Sequence, residues 1–141
     1  MKRKAIKKHK SSKGLLVRGY LENVSSGLFE VIEDKISELL KRQSGIYVLY
    51  KNNTIYYIGL AKGLRGRIRG HLEDRHKNKW NRFSLYIIKK TNYLKDLESL
   101  LLRLVKPKGN KIKGCFKKQG NLNPTVKKAL SAVQRVLDKA S

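Results

Sequence analysis

The sequence predicts an α/β domain of the α+β kind, with strands near residues 45–50, 54–59 and 82–88 flanked by helices. Three observations predict it. Gly45-Ile46-Tyr47-Val48-Leu49-Tyr50 and Ile55-Tyr56-Tyr57-Ile58-Gly59 are apolar, aromatic and β-branched, and the turn residues Lys51-Asn52-Asn53-Thr54 join them into a β-hairpin. Arg82-Phe83-Ser84-Leu85-Tyr86-Ile87-Ile88 has the same strand composition. Around these strands, apolar residues recur at helical spacing.

The elements follow in order along the chain. Residues 1–19 are rich in Lys, Ser and Gly with almost no core material, and read as a flexible basic tail. Residues 20–43 read as a helical extension, because Leu28, Val31, Ile32, Ile36, Leu39 and Leu40 recur at helical spacing. With Glu22 this extension carries five of the ten acidic residues, so it is the face least suited to a polyanion. After the hairpin, residues 61–73 read as a helix with Leu64, Ile68 and Leu72 as its apolar stripe. Gly63, Gly66 and Gly70 weaken that helix by about 1 kcal/mol each relative to Ala. The strand at 82–88 and a helix at 92–105 come next, and Lys106-Pro107-Lys108-Gly109-Asn110 ends that helix. Residues 111–122 read as a basic loop. Asn123-Pro124 then reads as the start of a final helix reaching about Ala140.

Composition narrows the function classes. The chain has 141 residues and is 40% hydrophobic, enough for one compact domain with a modest core. A single cysteine, Cys115, excludes an internal disulfide framework and fits a reducing compartment. No apolar stretch follows Met1-Lys2-Arg3-Lys4, and the run from Leu100 to Val105 is too short to span a bilayer. The expectation is a soluble, intracellular, cytoplasmic protein with no membrane partner. Net charge is +24, and residues 1 to 13 supply only seven of the basic side chains. The remainder therefore holds 27 basic against ten acidic groups, +17, which implies a polyanionic partner, with nucleic acid the expected one.

Several residues carry chemistry on their own account. On a helix wheel Leu94, Leu97, Leu101, Leu102 and Val105 fill one arc and Glu98 falls inside it, while Lys95, Asp96, Ser99 and Arg103 lie opposite. A carboxylate on a buried face costs several kcal/mol unless it is paired, protonated or bound to a cation. A structural ion pair and a metal ligand both satisfy it. Arg67 and His71 share one face at i, i+4, whereas Arg65 and Arg69 lie on the other flank and, with Arg75, read as generic phosphate contacts. Lys62, Lys106 and Lys108 extend that basic set. Tyr47 and Tyr57 are expected as cross-strand neighbours, and packing on a sheet face is the simplest reading of the hairpin alone. His9, His76 and Cys115 show no metal-ligand spacing and receive no role. Trp80 and Phe83 read as packing residues, with base stacking as the lesser alternative.

Gly45-Ile46-Tyr47 followed ten residues later by Tyr57-Ile58-Gly59 resembles the GIY-YIG nuclease family. The resemblance covers roughly residues 44 to 111 and implies that the three strands share one antiparallel sheet. It implies a catalytic arginine at Arg67, a hydroxyl or imidazole group at His71, a metal-binding glutamate at Glu98 and the asparagine of several branches at Asn110. One departure is visible: many members carry Lys directly after Tyr-Ile-Gly, where this chain has Leu60, with Lys62 two residues on. The activity implied is a metal-dependent endonuclease acting on DNA, expected to be double-stranded. Glu98 would hold one Mg²⁺ or Mn²⁺, Arg67 would bind the scissile phosphate, and a tyrosine or His71 would activate water. Basic charge alone also fits a non-catalytic nucleic-acid-binding protein. Only the nuclease accounts for a carboxylate in an apolar arc together with an Arg/His pair on the next helix face.

Overall fold

A computed structural model describes residues 14–31, 33–116 and 120–140. Four strands, β1 (Val17–Ser25), β2 (Gly45–Lys51), β3 (Thr54–Ala61) and β4 (Arg82–Ile88), form one antiparallel sheet in the order β1-β4-β2-β3. The helices are α1 (Ser26–Val31), α2 (Glu33–Leu40), α3 (Leu64–His71), α4 (Leu94–Val105, preceded by a 3₁₀ turn at Thr91–Tyr93) and α5 (Asn123–Ala140). The hairpin, β4 and the last two helices stand where the sequence places them.

The sheet has four strands and not three. Val17–Ser25, divided in the sequence reading between a tail and a helical extension, pairs antiparallel with β4 from Val17↔Ile88 to Ser25↔Arg82. Its alternation is broken by two register shifts, which is why it does not stand out as a strand. At the second shift Asn23 takes φ 56°, a left-handed conformation that Asn tolerates. Arg82 then holds the Asn23 carbonyl and side-chain oxygens, at 2.6 and 2.5 Å. Residues 1–13, expected to be a flexible tail, lie outside the described residues.

The sheet is covered on both faces. On one face Tyr47, Leu49, Phe83 and Leu85 pack against Phe29, Leu40, Leu64, Ile68 and Trp80. On the other, Ile46, Val48, Ile58 and Ile88 pack against Leu94 and Leu102 of α4. The helical stripe proposed for 28–40 is only partly buried. Leu40 is in the core, but Leu28, Val31 and Leu39 are exposed, and Phe29 is the anchor, edge-on to Phe83 at 5.7 Å. Ile32 and the Ile36 side chain lie outside the described residues. Burying a Phe side chain contributes about 1.5–3 kcal/mol, enough to fix α1 on the sheet.

One register shift matters for the site. Leu49 pairs with Tyr57 but Tyr50 pairs with Ile55, so Tyr56 is an extra residue in β3. Strand alternation slips by one there. Tyr56 and Tyr57 therefore both pack on the Tyr47 side, while Ile55 and Ile58 pack on the other.

Candidate active site

Each glycine of the hairpin strings has a packing cause. A Cβ on Gly59 would overlap the Tyr47 ring and hydroxyl, and one on Gly45 would overlap the Tyr86 carbonyl of β4. Tyr47 pairs with Gly59 across the hairpin and lies over it. Tyr57 is thus the diagonal neighbour of Tyr47, not its direct partner. The two rings are stacked at 5.9 Å with planes 26° apart.

Behind the tyrosines lies a chain of polar groups. Tyr47 is fully buried, and its hydroxyl oxygen stands 2.7 Å from Nε2 of His71, itself only 4% exposed. Nδ1 of His71 stands 2.6 Å from Oδ2 of Asp74, and Oδ1 of Asp74 accepts the His76 backbone N–H at 2.8 Å. Nδ1 of His76 stands 2.8 Å from the Tyr56 hydroxyl, and Trp80 Nε1 donates to the His71 carbonyl at 3.0 Å. Burial pushes the Tyr47 phenol far above its ordinary value. Tyr57 adds to this, and the Arg67 guanidinium partly opposes it. Burial lowers His71 and His76, favouring neutral imidazoles. Burial would raise Asp74, but the His76 N–H and the His71 ring outweigh it and hold the carboxyl below the usual range.

His76 and Asp74 were missed in the sequence. The spacing predicts one helix over 61–73, but α3 ends at His71. The chain then turns back, with the Asp74 carbonyl accepting from the Lys77 N–H, and returns Asp74 and His76 to His71. His76 is 2% exposed, and its ring centroid is 4.7 Å from that of Tyr57, so it is no surface loop residue. The His71-x-x-Asp74 spacing was the one available signal.

The free edge of β3 carries the other half of the site. Asn110 Oδ1 accepts the Ile58 N–H at 2.9 Å and its Nδ2 donates to the Ile58 carbonyl at 2.7 Å, imitating a strand partner. The Gly109 N–H donates to the Tyr56 carbonyl at 2.8 Å. Glu98 Oε1 accepts the next edge donor, Leu60 N–H, at 3.3 Å, and Oε2 accepts from Lys95 Nζ at 3.2 Å. The Leu60 side chain packs in the apolar layer, while Lys62 is exposed. The Glu98 side chain is 15% exposed and lines a cleft of about 470 Å³ with Tyr57, Arg75, Lys95, Asn110 and residues 111–115.

The α4 wheel needs two corrections. Ser99, assigned to the polar side, is buried, because the backbone at Gly114 packs directly on its carbonyl. Val105, assigned to the apolar arc, is 40% exposed. Trp80 and Phe83 are core residues, as expected.

Arg67 sits beside Tyr47 and Tyr57, whose hydroxyls strengthen its hold on its proton. Arg75 lines the cleft itself. Arg65 and Arg69 are exposed on α3, and Lys106 and Lys108 are exposed at the end of α4, where Lys106 takes φ 52° as the left-handed cap. Glu98 presents hard oxygen ligands, each carboxylate oxygen with one long hydrogen bond, in the cleft. That donor set suits a hard divalent cation that keeps several waters.

The sheet thus carries a tyrosine–histidine layer on one side and an edge carboxylate in an open cleft. Solved structures give the class. The fold is similar to the GIY-YIG N-terminal endonuclease domain of UvrC from Thermotoga maritima, in a tyrosine-to-phenylalanine point mutant bound to its catalytic divalent cation. Identity is 25%, TM-score 0.50, covering 59% of this chain and 98% of that one. An asparagine-to-alanine mutant of the same domain matches at 24% identity and TM-score 0.50 over the same shares. No curated protein matches the chain significantly. The family model for the GIY-YIG catalytic domain matches residues 43–113, just over half of the chain. The chain belongs to the GIY-YIG family and is an endonuclease of that type. Among the described residues no helix is long and apolar enough to cross a membrane.

Proposed function

We propose that this chain hydrolyses phosphodiester bonds of duplex DNA at the Glu98 cleft, with one Mg²⁺ or Mn²⁺ held by Glu98 and water. The observation that carries the reading is the meeting of Glu98 and Tyr57 in one cleft, with Tyr47 stacked on Tyr57 and its hydroxyl against His71. The related UvrC domain holds a catalytic divalent cation, which supports a metal-dependent reaction here. When bound, the cation supplies Lewis-acid stabilisation of charge on the phosphate and leaving oxygens.

Tyr57 is half-buried and reaches the cleft, whereas Tyr47 is sealed from it. Tyr57 therefore faces the attacking water. The water proton passes to the Tyr57 oxygen as the Tyr57 proton passes to Tyr47 and that of Tyr47 to Nε2 of His71. The hydroxide oxygen forms its bond to phosphorus, the bond from phosphorus to the leaving oxygen breaks, and that oxygen takes a proton from solvent. Arg67 and Arg75 bind the phosphate and stabilise its added charge. Asn110 acts at a distance from the chemistry, by holding β3 and the 109–115 segment together. Arg65, Arg69, Lys62, Lys106 and Lys108 contact the DNA backbone.

The test is nicking of supercoiled plasmid. Wild type should cut in Mg²⁺ and not in EDTA, and Glu98→Ala should cut slower by about two orders of magnitude or more while still retarding DNA in a gel. Equal cutting in EDTA, or by Glu98→Ala, overturns the reading.

A further inference from the structure

Two donors converge on one carboxylate at the end of α3. Asp74 Oδ2 stands 2.6 Å from Nδ1 of His71, and Oδ1 accepts the backbone N–H of His76 at 2.8 Å. An ionised carboxylate only accepts hydrogen bonds. We propose that Asp74 is a positioning residue that locks His71 in the tautomer protonated on Nδ1, leaving Nε2 as a bare acceptor aimed at the Tyr47 hydroxyl. This deepens the proposed nuclease reaction and rests on it for its catalytic consequence.

The geometry leaves little choice. The Tyr47 oxygen is 2.7 Å from Nε2, a direct and buried contact. The groups facing His71 are Tyr47 from β2, Tyr57 from β3, Arg67 from α3, and Asp74, Arg75 and His76 from the following turn. Asp74 is the anion among them, and the cations Arg67 and Arg75 disfavour an imidazolium. His71 therefore rests neutral, with its one proton on the side of Asp74, and can receive the Tyr47 proton at Nε2. The donor atoms of His71, Asp74 and His76 lie within 4.8 Å of one another, a spacing that could hold a metal ion. Both Asp74 oxygens and both Nδ1 atoms are already engaged in hydrogen bonds, so the arrangement is a clamp.

Asp74→Asn tests the clamp because an amide has one acceptor where the carboxylate has two. Its oxygen must serve the His76 N–H, which can only donate. Its NH₂ then faces His71 Nδ1 and forces the imidazole proton onto Nε2, toward Tyr47.

The experiment is long-range ¹H–¹⁵N correlation of the histidine rings in the full chain at neutral pH, alongside plasmid cleavage in saturating Mg²⁺ against pH. In wild type, His71 Nδ1 should resonate as protonated and Nε2 as unprotonated. In Asp74→Asn the two should exchange, and cleavage should fall at least about tenfold, as loss of an orienting partner behind a functional histidine does. The acid limb of the profile should also move to lower pH, since the carboxylate no longer favours the imidazolium. A merely structural role would lower the plateau without moving that limb. A wild-type His71 protonated on Nε2 overturns the clamp, as does Asp74→Asn cutting at the parental rate with an unmoved limb. If Asp74→Asn does not fold, the wild-type spectrum decides alone. A chain with the Nδ1–H tautomer that fails to cut DNA supports the clamp and faults the nuclease reading instead.

Discussion

The two walls of the site are built on opposite principles. The wall behind Tyr47 is sealed at Tyr47, His71 and His76, which are buried, and closed toward solvent by the half-exposed Asp74; the four satisfy one another in hydrogen bonds of 2.6–2.8 Å. The wall along β3 is open: Glu98 and Asn110 borrow the sheet's unpaired edge groups, and Glu98 faces water. Buried polar groups are costly unless every partner is present, so the sealed wall joins stability to protonation state. The open wall leaves lone pairs for a ligand and ties little stability to them. Damage to the sealed wall should therefore unfold as well as inactivate, and loss of the Glu98 carboxylate from the open wall should only inactivate.

The largest effect should separate the two tyrosines. Tyr57→Phe should slow plasmid nicking by about two orders of magnitude, as loss of proton-transfer catalysis does, with an unchanged urea midpoint. Tyr47→Phe should slow it comparably and also leave His71 Nε2 buried without a partner, costing about 1–3 kcal/mol in urea unfolding. If both variants cut at the parental rate, the hydroxyls are packing groups and the proton path is wrong. Equal stabilities would erase the distinction between sealed and open walls.

Next in size is Gly59→Ala. The added methyl overlaps the Tyr47 ring, and overpacking of this kind costs about 1–3 kcal/mol. A thermal midpoint matching wild type would mean that the Tyr47 ring moves freely.

A smaller effect concerns pH. The folded affinities of His71 and His76 for protons lie below their unfolded values. The unfolded chain therefore binds protons first as pH falls, and stability declines from the ordinary histidine range down to the depressed folded values. Asp74 adds a further loss only at more acid pH, as pH falls through its own lowered folded value. Thermal midpoints should drop between about pH 7 and pH 5, where unperturbed histidine titrates. His71→Gln should flatten that drop; an unchanged slope would remove His71 as its source.

The smallest effect should come from outside both walls. Deleting residues 1–13 removes seven positive charges and leaves β1 whole. DNA affinity should fall and its salt dependence become shallower, while cleavage at saturating protein stays intact. Cutting at Gly19, by contrast, would remove the start of β1 and weaken the sheet. Unchanged affinity for the 14–141 chain would show that these charges do not contact DNA.

The sequence by itself determined the hairpin, the strand at 82–88 and α3 to α5. Their signals are local: periodicity, turn residues and spacing act within a few positions of the chain. The ordered set Tyr47, Tyr57, Arg67, His71, Glu98 and Asn110 is what the resemblance to the GIY-YIG family implies. Only the tertiary structure decided the rest. Val17–Ser25 becomes a strand because β4, far along the chain, offers it an open edge, although its own alternation is broken. The extra residue at Tyr56 turns two consecutive tyrosines onto one face, against strict alternation. Asn110 enters as a catalytic candidate through the family resemblance, and in the fold both ends of its side chain hold Ile58. Ser99 sits on a polar helix face until Gly114 closes over it. Asp74 and His76 join the site because α3 stops at His71 and the next turn folds back, and no periodicity records where a buried hydrogen bond will find its acceptor.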